Sequence, residues 1–230
     1  NRLGLNFVSL DYLYKGDLVQ EFVYDNYMRD FTSDGRSTRN VEKEYQRIIE
    51  ISIPEVYDYM NRVRSGMYAN KMTNYDLVTK KYIVKTFDML EDFSNNTHLN
   101  EFASASKKVI RRFNSLGFIY PKYHANFNNF GDVTNSKTIQ KRMSQLQQAE
   151  ATKIQIVVPG RTDYTVGKKV RVKLNKFNPI GSDDTDITDN MFSGNYIISG
   201  VNHFIDREKH QCHMELMKDS FIVDLDKGGK

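Results

Sequence analysis

Length, composition and charge already exclude several classes of protein. The chain has 230 residues, of which 39% are hydrophobic and 27% are charged, an ordinary composition for one large globular domain or two small ones. This composition excludes a disordered chain. No apolar run approaches the ~18 residues that a membrane-spanning helix needs, so we expect no membrane insertion by this chain. A single cysteine, Cys212, excludes a scaffold held together by disulfides within the chain.

The charge distribution and the start of the chain lead to further expectations. The net charge is +4, and the 33 basic and 29 acidic residues are spread along the chain, whereas a domain that binds polyanions concentrates its cations on one face. The 14 Tyr and 14 Phe favour β structure. The chain begins at Asn1 without an initiator methionine or a visible leader, and we expect a fragment of a longer protein.

Residues 1–38 are predicted to contain a β-hairpin. Two apolar and aromatic runs, Leu5 to Tyr14 and Leu18 to Tyr24, are separated by Lys15-Gly16-Asp17, and short breaks centred on glycine close hairpins of this kind. The following stretch, Met28 to Asn40, has no hydrophobic periodicity and is typical of a loop or a domain joint. We therefore place a first boundary near residue 38.

Residues 39–120 are predicted to form a mixed domain of strands and helices. Isoleucines at alternate positions from Ile49 to Ile53 precede Pro54, which predicts a strand that ends at the proline. The stretch from Tyr82 to Phe87 alternates again. The strongest helix pattern of the chain runs from Thr97 to Asn114. Its apolar stripe consists of Leu99, Phe102, Val109, Ile110 and Phe113.

Residues 121–230 are predicted to form a helix followed by a small antiparallel β-barrel. The helix would run from Lys137 to Ala151 after a polar cap. Its narrow apolar stripe consists of Ile139, Met143 and Leu146. Short alternating strands follow, from Ile154 to Val158 and from Val170 to Leu174, and such strands at regular spacing are typical of a small barrel.

Two further strands complete the predicted barrel. They run from Asn195 to Ile205 and from His210 to Met217 and flank a turn at Asp206 to Lys209. On the last strand one face is predicted to be buried core, formed by Cys212, Met214 and Leu216. The predicted class is α+β and mainly β, with the barrel at the C-terminus after a mixed region of strands and helices.

The sequence shows no catalytic or metal-binding constellation. His210 and Cys212 share a face of their predicted strand, but His213 points the other way, and a closed zinc site needs four convergent ligands. An acidic loop lacks the glycine and the final glutamate of a calcium-binding helix-loop-helix motif and is interpreted as solvated; its carboxylates are Asp183, Asp184, Asp186 and Asp189. We expect no metal, no cofactor and no enzyme activity.

The order of the terminal motifs resembles a known protein family. The motifs are Val158-Pro159-Gly160 through Val166-Gly167-Lys168-Lys169-Val170, then Gly194 to His203, then Cys212-His213-Met214-Glu215-Leu216. In this order they resemble the closing barrel of the central hub proteins of contractile-tail bacteriophage baseplates of the T-even type. The segment Ser136 to Gln148 is similar to the hub helix that leads into that barrel. The hairpin Asn6 to Tyr24 resembles the end of an earlier hub domain.

The resemblance implies a structural protein of the virion, located in the tail baseplate and assembled in the host cytoplasm. Hubs of this family are trimers whose two barrels per subunit form a ring of near sixfold symmetry between the central spike and the tail tube. This chain would be the C-terminal portion of a hub, with spike, tube, tape measure and neighbouring wedge proteins as candidate partners. The candidate interface residues are Ile139, Met143, Leu146, Lys169, Arg171 and Lys173.

Two other classes of function stay open at this point. Some hub relatives carry a cell-wall-degrading module, and the unmatched residues 39–120 could be one, although no catalytic pair is visible in them. A basic nucleic-acid-binding domain is the second alternative, because the predicted helix from Thr97 to Asn114 carries four cations. A solvated helix face explains the same spacing; these cations are Lys107, Lys108, Arg111 and Arg112.

Overall fold

The computed structural model describes residues 10–24, 45–54, 59–76, 80, 82–108, 117–122, 135–176 and 188–227. No helix in these ranges is long and apolar enough to cross a membrane. The predicted class, α+β and mainly β, is confirmed. The helices are α1 (Leu10–Tyr14), α2 (Tyr59–Arg64), α3 (Met89–Asp92) and α4 (Asn135–Ala149). The strands are β1 (Leu18–Tyr24), β2 (Glu50–Ser52), β3 (Ala69–Asp76), β4 (Tyr82–Asp88), β5 (Phe102–Ala103), β6 (Gly117–Lys122), β7 (Thr152–Pro159), β8 (Lys169–Leu174), β9 (Gly194–Ile205), β10 (His210–Lys218) and β11 (Ser220–Phe221).

The main sheet has the strand order β1-β8-β9-β10-β7-β2. Strands β7 to β10 pair in an antiparallel manner, as the sequence predicts, whereas β1 pairs in parallel with β8. Alternate residues of these strands point to the same face of the sheet, and their apolar side chains form the main core. Its members are Phe22, Ile48, Ile154, Ile156, Val158, Tyr164, Val170, Val172, Leu174, Tyr196, Ile198, Val201, Cys212, Met214 and Leu216. The predicted burial of the last three is confirmed.

The sheet is a curled half-barrel, so the prediction of a closed small barrel is wrong. Register shifts between Glu215 and Leu216 on β10, and near Leu18 on β1, interrupt the regular ladders, and irregularities of this kind increase twist. In the described residues a single bridge between Val23 and Arg47 connects the two edges, with the Ile48 amide donating to the Val23 carbonyl at 3.1 Å. One bridge is not a ladder, and the barrel stays open there.

Of the predicted N-terminal hairpin, the strand from Leu18 to Tyr24 is confirmed as β1, but the first strand and the hairpin pairing are wrong over the part that the structure describes. Residues Leu10–Tyr14 form helix α1, not a strand. Leu10 and Tyr14 are four positions apart, so a helix places both on one side, where they are buried. They pack on the second face of the main sheet, in a cluster completed by Leu99, Ala149, Ile197 and Met217. Residues 5–9, the predicted loop from Met28 to Asn40 and the boundary near residue 38 lie outside the described residues.

A smaller sheet with the order β4-β3-β6 forms beside the main sheet. The strand predicted from Tyr82 to Phe87 is confirmed as β4, and the strand predicted before Pro54 is confirmed as β2. Helix α3 follows β4 directly, because the Asp88 carboxylate accepts hydrogen bonds from the Leu90 and Glu91 amides. The division of the chain at residues 38 and 120 stays a prediction. Strand β1 comes from the first predicted part and β2 from the second, and both belong to the main sheet.

The predicted helix from Thr97 to Asn114 is wrong over residues 97–108, and the remainder lies outside the described residues. This segment bends and contains only the short strand β5, which pairs with β11. The backbone amides of Leu99 and Asn100 donate to the side chains of Asp219 and Ser220, at 3.2 and 2.8 Å. These bonds attach residues 99 and 100 to the end of the chain, and Phe102 and Ala103 then pair with β11, which excludes them from a helical i to i−4 ladder.

Candidate functional site

The β9–β10 hairpin extends beyond the core at its turn. The residues of β9 up to Val201 are mostly buried, and those from Asn202 to Ile205 are exposed. The Asp206 amide donates to the Lys209 carbonyl at 2.9 Å and closes the turn that the sequence predicts. We call residues 202–210 the hairpin end. Residues 202–209 of this element are exposed to solvent.

The hairpin end presents apolar side chains to solvent. Phe204 is 57% exposed and Ile205 is 74% exposed. The ring of Phe204 contacts the ring of His213 on the neighbouring strand, with centroids 4.6 Å apart. Large exposed apolar side chains grouped on one projecting element are typical of a binding surface. The hairpin end is therefore a candidate contact element, and no pattern in the sequence had singled it out.

Three side chains with metal-ligand chemistry converge where the hairpin leaves the core. Cys212 on β10 lies directly opposite His203 on β9, and His210 precedes Cys212 by two positions. All three therefore project from the same face of the sheet. His203 Nδ1 lies 3.1 Å from Cys212 Sγ and 3.2 Å from His210 Nε2, and Sγ lies 3.9 Å from that same Nε2. We call these residues the histidine–cysteine cluster.

The sequence prediction identified two members of this cluster and missed the third. His210 and Cys212 share a face as predicted, and His213 contacts Phe204 on the other face. His203 completes the group because the turn at Asp206 to Lys209 sets the register that pairs it with Cys212. Applying that pairing to the two predicted strands would have revealed it.

The backbone around His210 is fixed by Gly160 at the end of β7. The Gly160 amide donates to the His210 carbonyl at 2.8 Å. A Cβ atom at position 160 would lie 2.2 Å from Cγ of the His210 ring, so only glycine leaves room for the imidazole. The next residue, Arg161, brings its carbonyl to 3.9 Å from Cys212 Sγ.

Cys212, the thiol of the histidine–cysteine cluster, does not have the properties of a catalytic cysteine. A nucleophilic cysteine needs a lowered pKa and access for its substrate. Burial raises the pKa of the Cys212 thiol, and the nearby Asp163 carboxylate raises it further. The side chain is fully buried. Both properties argue against a nucleophilic role for this cysteine.

Another histidine, His98, is buried in the interior. His98 Nδ1 lies 2.7 Å from Asp219 Oδ2, and its ring is stacked on Phe93. Ser220 is adjacent, but its hydroxyl donates to Asp219 Oδ1 at 2.7 Å and not to the imidazole. In a hydrolytic triad the serine hydroxyl must contact the histidine. This group is therefore structural: it connects residues 98–100 to β10 and β11.

The predicted interface residues of α4 are half-buried. Of the three, Leu146 packs with the cluster around Leu10 and Tyr14. Apart from Ala149, the buried positions described in this helix are polar: Gln140, Ser144, Gln145 and Gln148. The helix itself, predicted over Lys137 to Ala151, is confirmed as Asn135–Ala149.

The predicted interface cations of β8 lie on the outer face of the main sheet. Arg171 and Lys173 are exposed, and Lys169 is half-buried beside α1. Each is held by a partner on a neighbouring element, so the three cations form an ordered surface. The nearest of these partners are the Tyr14 carbonyl for Lys169 at 3.2 Å, Asn195 for Arg171 at 3.1 Å and Glu21 for Lys173 at 2.7 Å.

The other charged candidates from the sequence are only partly described. Lys107 and Lys108 are exposed, and the Lys107 amide is bound by the Asp226 carboxylate. The Asp189 carboxylate accepts from the amides of Met191 and Phe192, so it caps a turn. The remaining members lie outside the described residues: Arg111, Arg112, Asp183, Asp184 and Asp186.

Comparison with known proteins gives matches among solved structures. No protein-family model matches the chain, and no curated protein does. The tail protein from Neisseria meningitidis MC58 is similar over 90% of this chain and 46% of its own, with 11% identity and a TM-score of 0.44. The 43 kDa tail protein of prophage MuSo2 from Shewanella oneidensis is similar over 75% of this chain and 42% of its own, with 11% identity and a TM-score of 0.37. The chain spans less than half the length of either structure.

Proposed function

We propose that the chain is a structural subunit of a bacteriophage tail, and specifically part of the central hub of a contractile-tail baseplate. The observation that carries the proposal is the order of the terminal motifs, from Val158-Pro159-Gly160 to Cys212-His213-Met214-Glu215-Leu216, which resembles the closing barrel of T-even hubs. Three copies would form a ring between the central spike and the tail tube. The tape measure and wedge proteins are further candidate partners.

The surface chemistry supports a role in assembly. The β8 face carries ordered cations at Lys169, Arg171 and Lys173, and the hairpin end carries exposed Phe204 and Ile205. Charged pairs set the orientation of an interface, and a few buried apolar anchors supply most of its binding energy. These two surfaces suit contacts with neighbouring subunits.

We further propose that the chain has no hydrolase activity of its own. In the described part of the chain, the buried His98, Asp219 and Ser220 lack triad geometry, and the Cys212 thiol is buried with a raised pKa. Digestion of purified cell walls should release no muropeptides. Release that is abolished by a single carboxylate substitution would instead favour a wall-degrading module.

Oligomeric state tests the proposal directly. Light scattering of the purified chain should give three times 26.9 kDa. The double variant Arg171→Glu, Lys173→Glu should shift the population towards monomer, because it reverses two ordered charges on the proposed contact face. Arg64→Glu reverses an exposed charge on α2 and serves as the control, with the trimer retained. A wild-type chain that is monomeric at high concentration and with spike protein present would contradict the hub assignment.

A DNA-binding measurement distinguishes the hub proposal from the remaining alternative, a nucleic-acid-binding domain. A nucleic-acid-binding domain would show an affinity that falls steeply with salt, because cations that neutralise phosphates release counterions. The hub proposal predicts at most weak binding without sequence preference. Tight binding of duplex DNA with a steep salt slope would favour the alternative.

A further inference from the structure

We propose that His203, His210 and Cys212 form a binding site for a zinc ion at the base of the hairpin end. Imidazole nitrogen and cysteine sulfur are the donors that zinc prefers in proteins, and these three provide two nitrogens and one sulfur. Their ligand atoms all lie within 4.8 Å of one another. The sequence alone argued against a metal here, because it paired His210 and Cys212 with His213, which faces the other way.

The separations between the donor atoms match those of a tetrahedral zinc site. Bond lengths of about 2.0–2.1 Å to nitrogen and about 2.3 Å to sulfur place two nitrogens about 3.3 Å apart, and nitrogen and sulfur about 3.5 Å apart. The observed nitrogen pair, His203 Nδ1 and His210 Nε2, is 3.2 Å apart. The two sulfur–nitrogen distances are 3.1 and 3.9 Å, on either side of the ideal value. Small rotations of the side chains would place all three around one ion.

The site rests on regular backbone. His203 and Cys212 are a directly opposed pair in an antiparallel ladder, and His210 is held by Gly160 at the end of β7. Ligands on paired strands keep their spacing better than ligands on loops. The absence of a side chain at Gly160 is what leaves space for the His210 imidazole.

The three residues supply three of the four ligands of a tetrahedral zinc ion, so one coordination position of the metal remains. Cys212 is fully buried, whereas His203 is exposed, so one side of the cluster is open to solvent. Water or a side chain from a neighbouring molecule could complete the tetrahedron. A bound ion would connect β9 and β10 at the point where the hairpin end leaves the core. It would thereby stiffen the element that presents Phe204 and Ile205.

Metal titration tests this inference. After removal of metals with a chelator, the purified chain should bind one Zn²⁺ per chain in competition with a chromophoric chelator. Co²⁺ should replace it and give the intense absorption of a thiolate-to-cobalt transition together with the visible bands of a tetrahedral complex. Zn²⁺ should also raise the melting temperature of the metal-free chain.

Matched histidine variants make the result specific. His203 is exposed, so His203→Ala leaves the core intact, and the variant should melt near the wild type when metal is absent. Its Zn²⁺ affinity should fall by more than the roughly 10- to 100-fold that the loss of an outer-shell partner costs. His213→Ala removes an exposed histidine next to Cys212 on β10, on the opposite face of the sheet, and this variant should bind Zn²⁺ as the wild type does.

Three results would overturn the zinc site. The first is binding of well under one Zn²⁺ per chain, and the second is a Co²⁺ spectrum without thiolate absorption. The third is equal loss of affinity in His203→Ala and His213→Ala. Each would show that the cluster is only a hydrogen-bonded group. None of them bears on the hub assignment, which the oligomeric state tests separately.

Discussion

A buried ammonium group at the end of β10 makes stability depend on pH. Lys218 is fully buried, and its Nζ donates to the carbonyls of Met191 and Ser193 while lying 4.9 and 4.8 Å from the ring centroids of Tyr196 and Phe221. Burial lowers its pKa from 10.5 to about 7, and the carboxylates of Asp189 and Asp219 oppose this shift. The folded chain therefore releases this proton at a lower pH than the unfolded chain does.

The sign of the pH effect follows from that difference. Between about pH 7 and 10.5 the unfolded chain holds the Lys218 proton and the folded chain has lost it, so stability rises with pH in this window. The free energy of unfolding of the wild type, minus that of Lys218→Met, should increase by at most about 1.4 kcal/mol per pH unit. Urea unfolding at a series of pH values measures it. A difference that stays flat with pH would show that the folded lysine remains charged.

The alternation of β10 predicts opposite effects at neighbouring residues. Met214 is buried, so Met214→Asp would bury an unpaired carboxylate and should cost several kcal/mol, on the order of 3 or more. Glu215 is half-buried and pairs with Lys153 at 3.4 Å, so Glu215→Gln should cost about 1 kcal/mol or less. Thermal melting of both variants checks the register. Equal tolerance at the two positions would contradict it.

Alternation along one strand predicts which of its residues are buried, but it does not predict which residues of two strands converge. A period of two is enough to place Cys212, Met214 and Leu216 in the core, because burial follows from one strand alone. The convergence of His203 with Cys212 depends on which residues of two strands face each other. That register is a property of the pair, and single-strand patterns do not contain it.

Among the elements, the segment around His98 is attached to β10 and β11 by buried polar contacts. The side chains of His98 and Asp219 are 6% and 1% exposed. His98→Ala removes one hydrogen-bond partner of a buried carboxylate and should destabilise the chain by about 1–3 kcal/mol. His213→Ala, which removes an exposed histidine, should change stability by less than about 0.5 kcal/mol. Urea unfolding compares the two, and a similar small cost for both would show that this attachment contributes little.

A polar seam joins α4 to the smaller sheet. Gln140 Nε2 donates to Asn70 Oδ1 at 3.0 Å and to the Lys85 carbonyl at 3.1 Å, and all of the Gln140 side chain is buried. Gln140→Ala would leave these acceptors without that donor and should cost about 1–3 kcal/mol. Gln147→Ala, at a half-buried position of the same helix, should cost less than about 0.5 kcal/mol. Equal costs in denaturant unfolding would contradict the seam.

Hydrophobic patterns predicted helix α4 but wrongly predicted a helix at residues 97–108, because some contacts of these segments are polar or distant in sequence. Helix α4 is predicted from its polar cap and its narrow apolar stripe, but the stripe is only half-buried and much of the buried side is polar, with Gln140 and Gln148 in contact with β3 and its flanks. A search for an apolar stripe cannot find such a side. The stripe at Leu99 and Phe102 predicts a helix, yet Phe102 pairs with Phe221 on β11, which is far away along the chain. Contacts this distant override local periodicity.

At the scale of the whole molecule, the sequence predicted the antiparallel strands β7 to β10 but not how the sheet ends. Strand β1 pairs in parallel with β8, and in the described part of the chain one bridge links Val23 on β1 to Arg47, just before β2. Pairing between strands that are far apart in sequence depends on chain closure, which local patterns do not encode. The half-barrel leaves its cationic β8 face and its hairpin end available for neighbours.

We propose that this chain lies at the centre of a contractile tail baseplate as a trimer, and electron cryomicroscopy of purified tail particles can locate it there. The expected map contains three copies of the half-barrel arranged as a ring between spike and tube, with the β8 face or the hairpin end at contacts between subunits. A map without this fold at the baseplate centre, or with a number of copies other than three, would contradict the proposed trimeric hub.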